Sequence, residues 1–176
     1  MPVEGDIGFR PVTLADFPLL RRWLNEPEVR AWWGDPEKEL GEILGMVEGR
    51  DTTRPFIIEL DGAPVGYIQY WFIGHYQNAS WIAEHPWLVH LPSEAVGVDI
   101  SLGEAGLLSR GIGSAALAAF VQRLRAEGYR TIIIDPDPAN ARAVRAYGKA
   151  GFRPIPGLGA KDVLLMEHQP MNEGAE

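Results

Sequence analysis

Apolar and polar residues recur along the chain with two different periods, and each change of period marks an element. Residues 7–11 alternate as a short strand. Thr13 is placed to cap a helix over residues 14–25, where Leu19, Leu20, Trp23 and Leu24 form one apolar stripe. Residues 27–33 predict a second short helix, stopped at Gly34-Asp35-Pro36, and residues 37–48 a third. Two β-rich runs, 56–60 and 65–72, flank Asp61-Gly62, a dipeptide suited to a tight hairpin turn. Residues 73–93 lose regular periodicity while carrying Trp81, Trp87 and three of the four histidines. An irregular loop is expected there, and loops of that length are often functional. A strand at 95–102, a glycine-rich bend, a helix at 111–127, a strand at 131–134, a helix at 139–150 and closing strands at 152–156 and 162–167 complete the series. Gly151 stands where a left-handed helix stop is needed. Helices around a mixed sheet predict an α/β or α+β domain.

Composition narrows the possible functions. The 176 residues fit a single domain, with a core at about 7–169 and a tail at 170–176. The longest strongly apolar run, 115–121, falls far short of the roughly 18–20 residues a membrane helix needs. The first residues lack the basic flank and apolar core of a secretory signal, so a cytoplasmic protein without a membrane partner is expected. The absence of cysteine excludes disulfides, thiolate metal ligands and a cysteine acyl-enzyme. His75, His85, His90 and His168 lack zinc-ligand spacing and read as surface or loop residues, so no metal is expected. A formal charge of −8 opposes nucleic-acid binding and suits a cationic small molecule.

Candidate chemistry concentrates in the second half. Ser109-Arg110-Gly111-Ile112-Gly113-Ser114 joins a strand to a helix, so free N–H groups and the positive end of the helix dipole meet at glycines that let a ligand approach. Arg110 adds a cation. A loop that merely needs glycine geometry would look the same. Gly111 to Ala116 also matches a relaxed dinucleotide fingerprint, with Asp135 about 20 residues further on. Against that reading, residues 103–109 intervene between strand and turn, and one βαβ unit is all that the pattern offers. A P-loop is excluded because no Gly-Lys-Ser/Thr follows at the required spacing. One unit later, Asp135-Pro136-Asp137-Pro138-Ala139-Asn140 opens a helix on which Asn140, Val144 and Tyr147 share a face.

The 108–114 bend together with Asp135-Pro-Asp-Pro-Ala-Asn-Ala-Arg-Ala-Val-Arg-Ala-Tyr-Gly-Lys-Ala-Gly-Phe152 resembles the acetyl-CoA-binding half of the GNAT superfamily of N-acetyltransferases. Leu108 stands where that family's bend usually carries Gln or Arg. In the front half, Trp23-Leu24-Asn25, Trp32-Trp33-Gly34, Gly66-Tyr67-Ile68-Gln69 and Gly97-Val98-Asp99 are similar to aminoglycoside 6′-N-acetyltransferases, and the similarity covers most of residues 9–168. An acidic substrate-loop residue of some relatives falls near Asn78 or Ala79.

The resemblance implies the GNAT fold, a mixed central sheet with two splayed central strands flanked by helices, and acetyl-CoA as cosubstrate. It implies that the backbone of Ile100 and Leu102 pairs with pantetheine, that Arg110, Gly111, Ile112, Gly113 and Ser114 hold the pyrophosphate, and that Asn140 and Tyr147 meet the cofactor arm. Asp99 matches the acidic residue at the reacting amine, and Tyr147 the general acid for the coenzyme A sulfur. Trp32, Gln69, Asp99 and Asp135, with Asp137 beside it, are the expected substrate contacts. No Gly-Xaa-Ser-Xaa-Gly is present, so direct transfer in a ternary complex is expected, by a monomer or homodimer. Other small amines, such as a lysine-like siderophore precursor, are the alternative acceptors; relatives of that kind often carry His at the position of Asp99. A non-catalytic acyl-CoA sensor or a nucleotide-binding module is the alternative of another class.

Overall fold

The computed structural model describes residues 3–170, so the expected tail lies, apart from Pro170, outside the described residues. The strands run β1 (Ile7–Pro11), β2 (Arg54–Leu60), β3 (Ala63–Phe72), β4 (Val96–Leu102), β5 (Ile132–Ile134), β6 (Phe152–Ala160) and β7 (Val163–His168). Their order in the sheet is β1-β2-β3-β4-β5-β7-β6. The β1–β2, β2–β3, β5–β7 and β6–β7 pairs are antiparallel and β4–β5 is parallel, so the sheet is mixed, as the sequence pattern predicts. The helices are α1 (Phe17–Leu24), α2 (Pro27–Trp33), α3 (Pro36–Val47), α4 (Ile73–Tyr76), α5 (Ala79–Glu84), α6 (Ile112–Ala126) and α7 (Ala141–Lys149).

Contacts divide the chain into two units, each discontinuous in sequence. One takes the chain up to Trp71 together with Asp99–Ala116. Its core gathers Leu20, Trp23 and Leu24 of α1, Val29 of α2, Leu40 and Ile43 of α3, Ile57 of β2 and Tyr67 of β3. The hairpin turn forms as expected, with Asp61 at φ 51° and Gly62 at φ 80°, the two left-handed positions of a type I′ turn. The single helix expected at 14–25 is instead a 3-10 turn at Leu14–Asp16 followed by α1. Pro18 has no N–H to reach the Leu14 carbonyl, so the Phe17 N–H bonds it at the tighter spacing. The Asp16 carboxylate accepts from the Thr13 N–H at 2.8 Å and from both terminal nitrogens of Arg10 at 2.8 and 2.9 Å. Arg10, first by hydrogen bonding, holds the buried Asp16 carboxyl below its usual range.

The other unit comprises Phe72–Val98 and the chain from Leu117 onward. Here α6 buries Leu117, Phe120, Val121 and Leu124, and β5 is buried throughout. The irregular loop expected at 73–93 is a correction: this stretch forms α4, α5 and a 3-10 turn at Pro86–His90. Each piece is too short to show a helical period, and each is set by local polar bonds instead. Asn78 Oδ1 caps α5 by accepting from the Trp81 N–H at 3.2 Å, and Gln77 Nε2 donates to the carbonyls of Leu88 and Leu91 at 2.9 Å each. Tyr76 and Trp81 meet edge to face at 4.9 Å.

His168 is a second correction, since it is buried on β7 rather than at the surface. The Arg125 guanidinium donates to its Nδ1 and to its carbonyl, each at 3.0 Å. Burial, then the neighbouring Arg125 charge, lowers the pKa of this imidazole. Gly151, at φ 103°, ends α7 as expected, and a Cβ there would come within 2.9 Å of the His168 ring.

One close contact carries a test. Gly103 follows β4, and a Cβ on it would lie 2.1–2.4 Å from the Trp23 indole ring. Trp23 is itself a buried core residue and has little room to withdraw. Gly103→Ala is therefore expected to cost about 1–3 kcal/mol in urea denaturation through overpacking. An unchanged midpoint would contradict this contact.

Candidate active site

The strand β4 presents its two backbone edges differently. The Gly103 N–H donates to the Val65 carbonyl at 2.8 Å, on the β3 side. The Val96 N–H, of opposite parity, donates to the Thr131 carbonyl at 3.1 Å. Strand alternation therefore puts the N–H groups of Ile100 and Leu102 on the edge facing away from β3. The parallel register on that edge covers Val96↔Ile132 and Gly97↔Ile133, and β4 continues past it through Leu102. Ile100 and Leu102 thus offer peptide groups of the kind that an extended amide-bearing chain can pair with. That is what a pantetheine arm requires.

The bend after β4 suits an anion. Ser109 at φ 61° and Gly111 at φ 79° flank Arg110, which is not left-handed, and such alternation turns successive amides toward one point. Arg110 and Gly111 are exposed, and Ile112 begins the 15-residue helix α6. A Cβ on Gly113 would meet nothing closer than the Leu102 side chain at 3.8 Å, so the first turn of α6 is open. The residues present fit a diphosphate group.

In the same unit, Asp99 on β4 is joined to β3 by a side-chain chain of bonds. Gln69 Nε2 donates to Asp99 Oδ2 at 2.9 Å, and Tyr67 Oη donates to Gln69 Oε1 at 2.5 Å. Tyr67 is buried, and its ring meets that of Trp33 edge to face at 5.8 Å. Burial raises the Asp99 pKa from 3.8 to about 6, while the Gln69 hydrogen bond pulls against that rise. Burial also raises Glu39 of α3 to about 7, with the charges of Glu42 and Asp99 adding to the rise and Lys38 opposing it. Glu39 and Tyr67 carry no role in the sequence reading. Position offered a signal for each, since Tyr67 lies two residues from Gln69 on one strand face and Glu39 borders the buried stripe of Leu40 and Ile43. Trp32, also in this unit, is 47% exposed on α2.

The remaining candidates belong to the other unit. Asp135 and Asp137 follow β5 and are half-buried. Asp137 Oδ1 accepts from the Ala139 N–H at 2.8 Å, and Asn140 Oδ1 accepts from the Ala143 N–H at 3.3 Å. Both oxygens thereby serve the start of α7, which opens at Ala141 with Asn140 as its cap rather than at residue 139. Asn140 keeps its amide N–H groups as donors for a ligand. Tyr147 stands half-buried two turns on, with Val144 between them. Among the described residues there is no group of His, Cys, Asp or Glu placed to hold a metal, and no helix is long and apolar enough to cross a membrane.

The acetyltransferase (GNAT) domain family matches residues 13–158. Aminoglycoside N(6′)-acetyltransferase type 1 of Klebsiella pneumoniae is 31% identical over 156 residues, spanning 85% of this chain and 75% of that one. This chain belongs to the GNAT acetyltransferase family. A kanamycin resistance protein of Rhizobium radiobacter is 44% identical over a shorter stretch of 57 residues, 32% of this chain and 53% of that one. Among solved structures, aminoglycoside acetyltransferase AAC(6′)-Ib in complex with coenzyme A and kanamycin superposes with a TM-score of 0.77 at 27% identity, covering 94% of this chain and 95% of that one. The GNAT fold predicted from the two halves of the sequence is therefore the fold of this protein.

In this GNAT chain the raised carboxyls have a measurable consequence. A carboxyl whose folded-state pKa lies above its unfolded value contributes stability below the unfolded value, and that contribution is lost as pH rises through the folded value. For Glu39 this window runs from about 4.5 to about 7. Glu39→Gln should melt above the parent at pH 8 and level with it near pH 4. A difference in melting temperature that is the same at both pH values would contradict a desolvated Glu39.

Proposed function

We propose that this chain transfers the acetyl group of acetyl-CoA to the 6′-amine of an aminoglycoside, and so serves in resistance to such antibiotics. The observation that carries the reading is Asp99, a desolvated carboxylate on the strand that leads into an anion-suited bend, in a chain similar over most of its length to a named aminoglycoside N(6′)-acetyltransferase. The net charge of −8 favours approach of a polycationic acceptor.

Acetyl-CoA supplies an acyl carbon activated as a thioester. In the balanced reaction an N–C bond forms as the C–S bond breaks; the ammonium gives up two protons, one released to solvent through Asp99 and one replacing, by way of solvent, the proton that Tyr147 gives to the sulfur. Asp99 first anchors the ammonium as its counter-ion and then accepts the amine proton, directly or through water. Its burial helps the second task and hinders the first: lifting its pKa from 3.8 to about 6 makes it a better proton acceptor by about 3 kcal/mol. Tyr147 gives its phenolic proton to the departing sulfur. The amides of the Arg110–Ser114 bend hold the diphosphate, with Asn140 on the cofactor arm. Trp32 stacks on a sugar ring, and Asp135 and Asp137 meet further ammonium groups. Gln69 Nε2 retains a second N–H for substrate beyond the one given to Asp99. Without a cysteine the amine attacks directly, with no acyl-enzyme through a thiol.

A coenzyme A release assay with kanamycin-type aminoglycosides, simple polyamines and lysine derivatives tests the acceptor; turnover confined to lysine derivatives would replace the aminoglycoside. Acetyl-CoA, but not NAD, should raise the melting temperature. Asp99→Asn should lower kcat by about 100-fold or more, with acetyl-CoA affinity little changed. Tyr147→Phe should likewise lower kcat while preserving acetyl-CoA affinity, and unchanged turnover would remove it from the acid role.

A further inference from the structure

The amide of Gln69 lies between two partners whose demands fix its orientation. An ionised Asp99 carboxylate has only acceptor atoms, so it requires the Nε2 side of Gln69, and the structure provides that bond at 2.9 Å. Oε1 then faces Tyr67, whose hydroxyl must be the donor in the 2.5 Å contact. Tyr67 Oη has one proton and a second acceptor within reach, Met46 Sδ at 3.7 Å. If Asp99 becomes protonated, its own O–H can donate to Oε1 of a flipped amide. Nε2 then donates to Tyr67 Oη, and the phenolic proton turns to Met46. Two fully bonded arrangements of the same three side chains therefore exist, one matched to each state of the carboxyl.

We propose that Tyr67 is a positioning residue for the amine-handling step: by donating to Gln69 Oε1 it holds the amide in the orientation that supports ionised Asp99. This rests on the reading of Asp99 as the group that receives the amine proton. Tyr67 is buried, and its hydroxyl bonds Gln69 rather than Asp99. Its buried ring, braced by Trp33, gives the hydroxyl a fixed aim. Hydrogen bonds in series polarise one another, so donation at Oε1 strengthens the N–H donated to Asp99. The groups acting electrostatically around Asp99 are Glu39 from α3 and Tyr67 from β3, with Glu42 and Asp51 acting on Tyr67. Burial opposes ionisation of Asp99, and the Gln69 bond is the interaction that supports its charged form.

The test is the titration of the Asp99 carboxyl followed by carbon NMR, made in a Glu39→Gln background so that the neighbouring carboxyl does not titrate over the same range. Tyr67→Phe should move the Asp99 midpoint upward by about half a pH unit or more, and the acid limb of kcat/KM with it. Gln69→Leu should move it upward as well, and the double variant should move it no further than Gln69→Leu alone. An unmoved midpoint in Tyr67→Phe, or single shifts that simply add in the double variant, would overturn the proposal. Incorporating 3-fluorotyrosine, a stronger donor of nearly the same shape, preserves the fold and should move the midpoint downward; an upward or absent shift also counts against Tyr67. The NMR midpoint is read without substrate, whereas the acetyl-transfer reading stands or falls on coenzyme A release by the unsubstituted chain. The two can therefore fail separately.

Discussion

Half-burial of the Asp99 side chain beside β3, which raises its proton affinity, is the constraint on which the proposed chemistry turns. A carboxylate in such surroundings normally gains a cation or several N–H donors. Among the described residues Asp99 forms no ion pair, and its side-chain donor is the amide of Gln69. Its neighbours Glu39 and Tyr67 add no positive charge. Its charged form therefore has one side-chain hydrogen bond and, among the described residues, no cation beside it. That shortage suits the same carboxyl to the proposed anchoring of a cationic amine, and burial gives it a proton affinity above that of an exposed aspartate.

The backbone around Asp99 is shaped by glycines chosen for close approach. A Cβ on Gly66 would lie 2.7 Å from the Ser101 carbonyl oxygen, so β3 reaches β4 at that point because no side chain intervenes. Gly103 does the same against the Trp23 ring, which ties the end of β4 to the core of α1. On either side of Ser101, Ile100 and Leu102 keep their peptide groups on the edge facing away from β3. The left-handed Ser109 and Gly111 then turn the chain into α6. Asp99, the peptide edge and the anion-suited bend follow one another within a short stretch of chain.

Much of this is legible in the sequence. The two periods of the hydrophobic pattern located the strands and the long helices, because burial on one face leaves its imprint on every second residue or every third and fourth. Asp61-Gly62 and Gly151 announced their turns through the left-handed backbone that each needs. The stretch at 73–93 was not legible. Its helices are each about one turn long, and capping by Asn78 and tethering by Gln77 leave no periodic trace. The burial of His168 leaves no local signal for a related reason: its partner Arg125 lies 43 residues away in sequence.

By itself the sequence determined the family, the mixed α/β class, the acidic character of the chain and the identity of Asp99, Tyr147 and the glycine-rich bend as the residues to examine. Each of these is encoded in residue type and short spacing. Tertiary structure alone decided what Asp99 is chemically. Burial raises its proton affinity, and the hydrogen bond from the Gln69 amide on a neighbouring strand opposes that rise. Desolvation and hydrogen-bond direction are properties of the space around a group. They appear when the chain has folded and distant residues have been brought together.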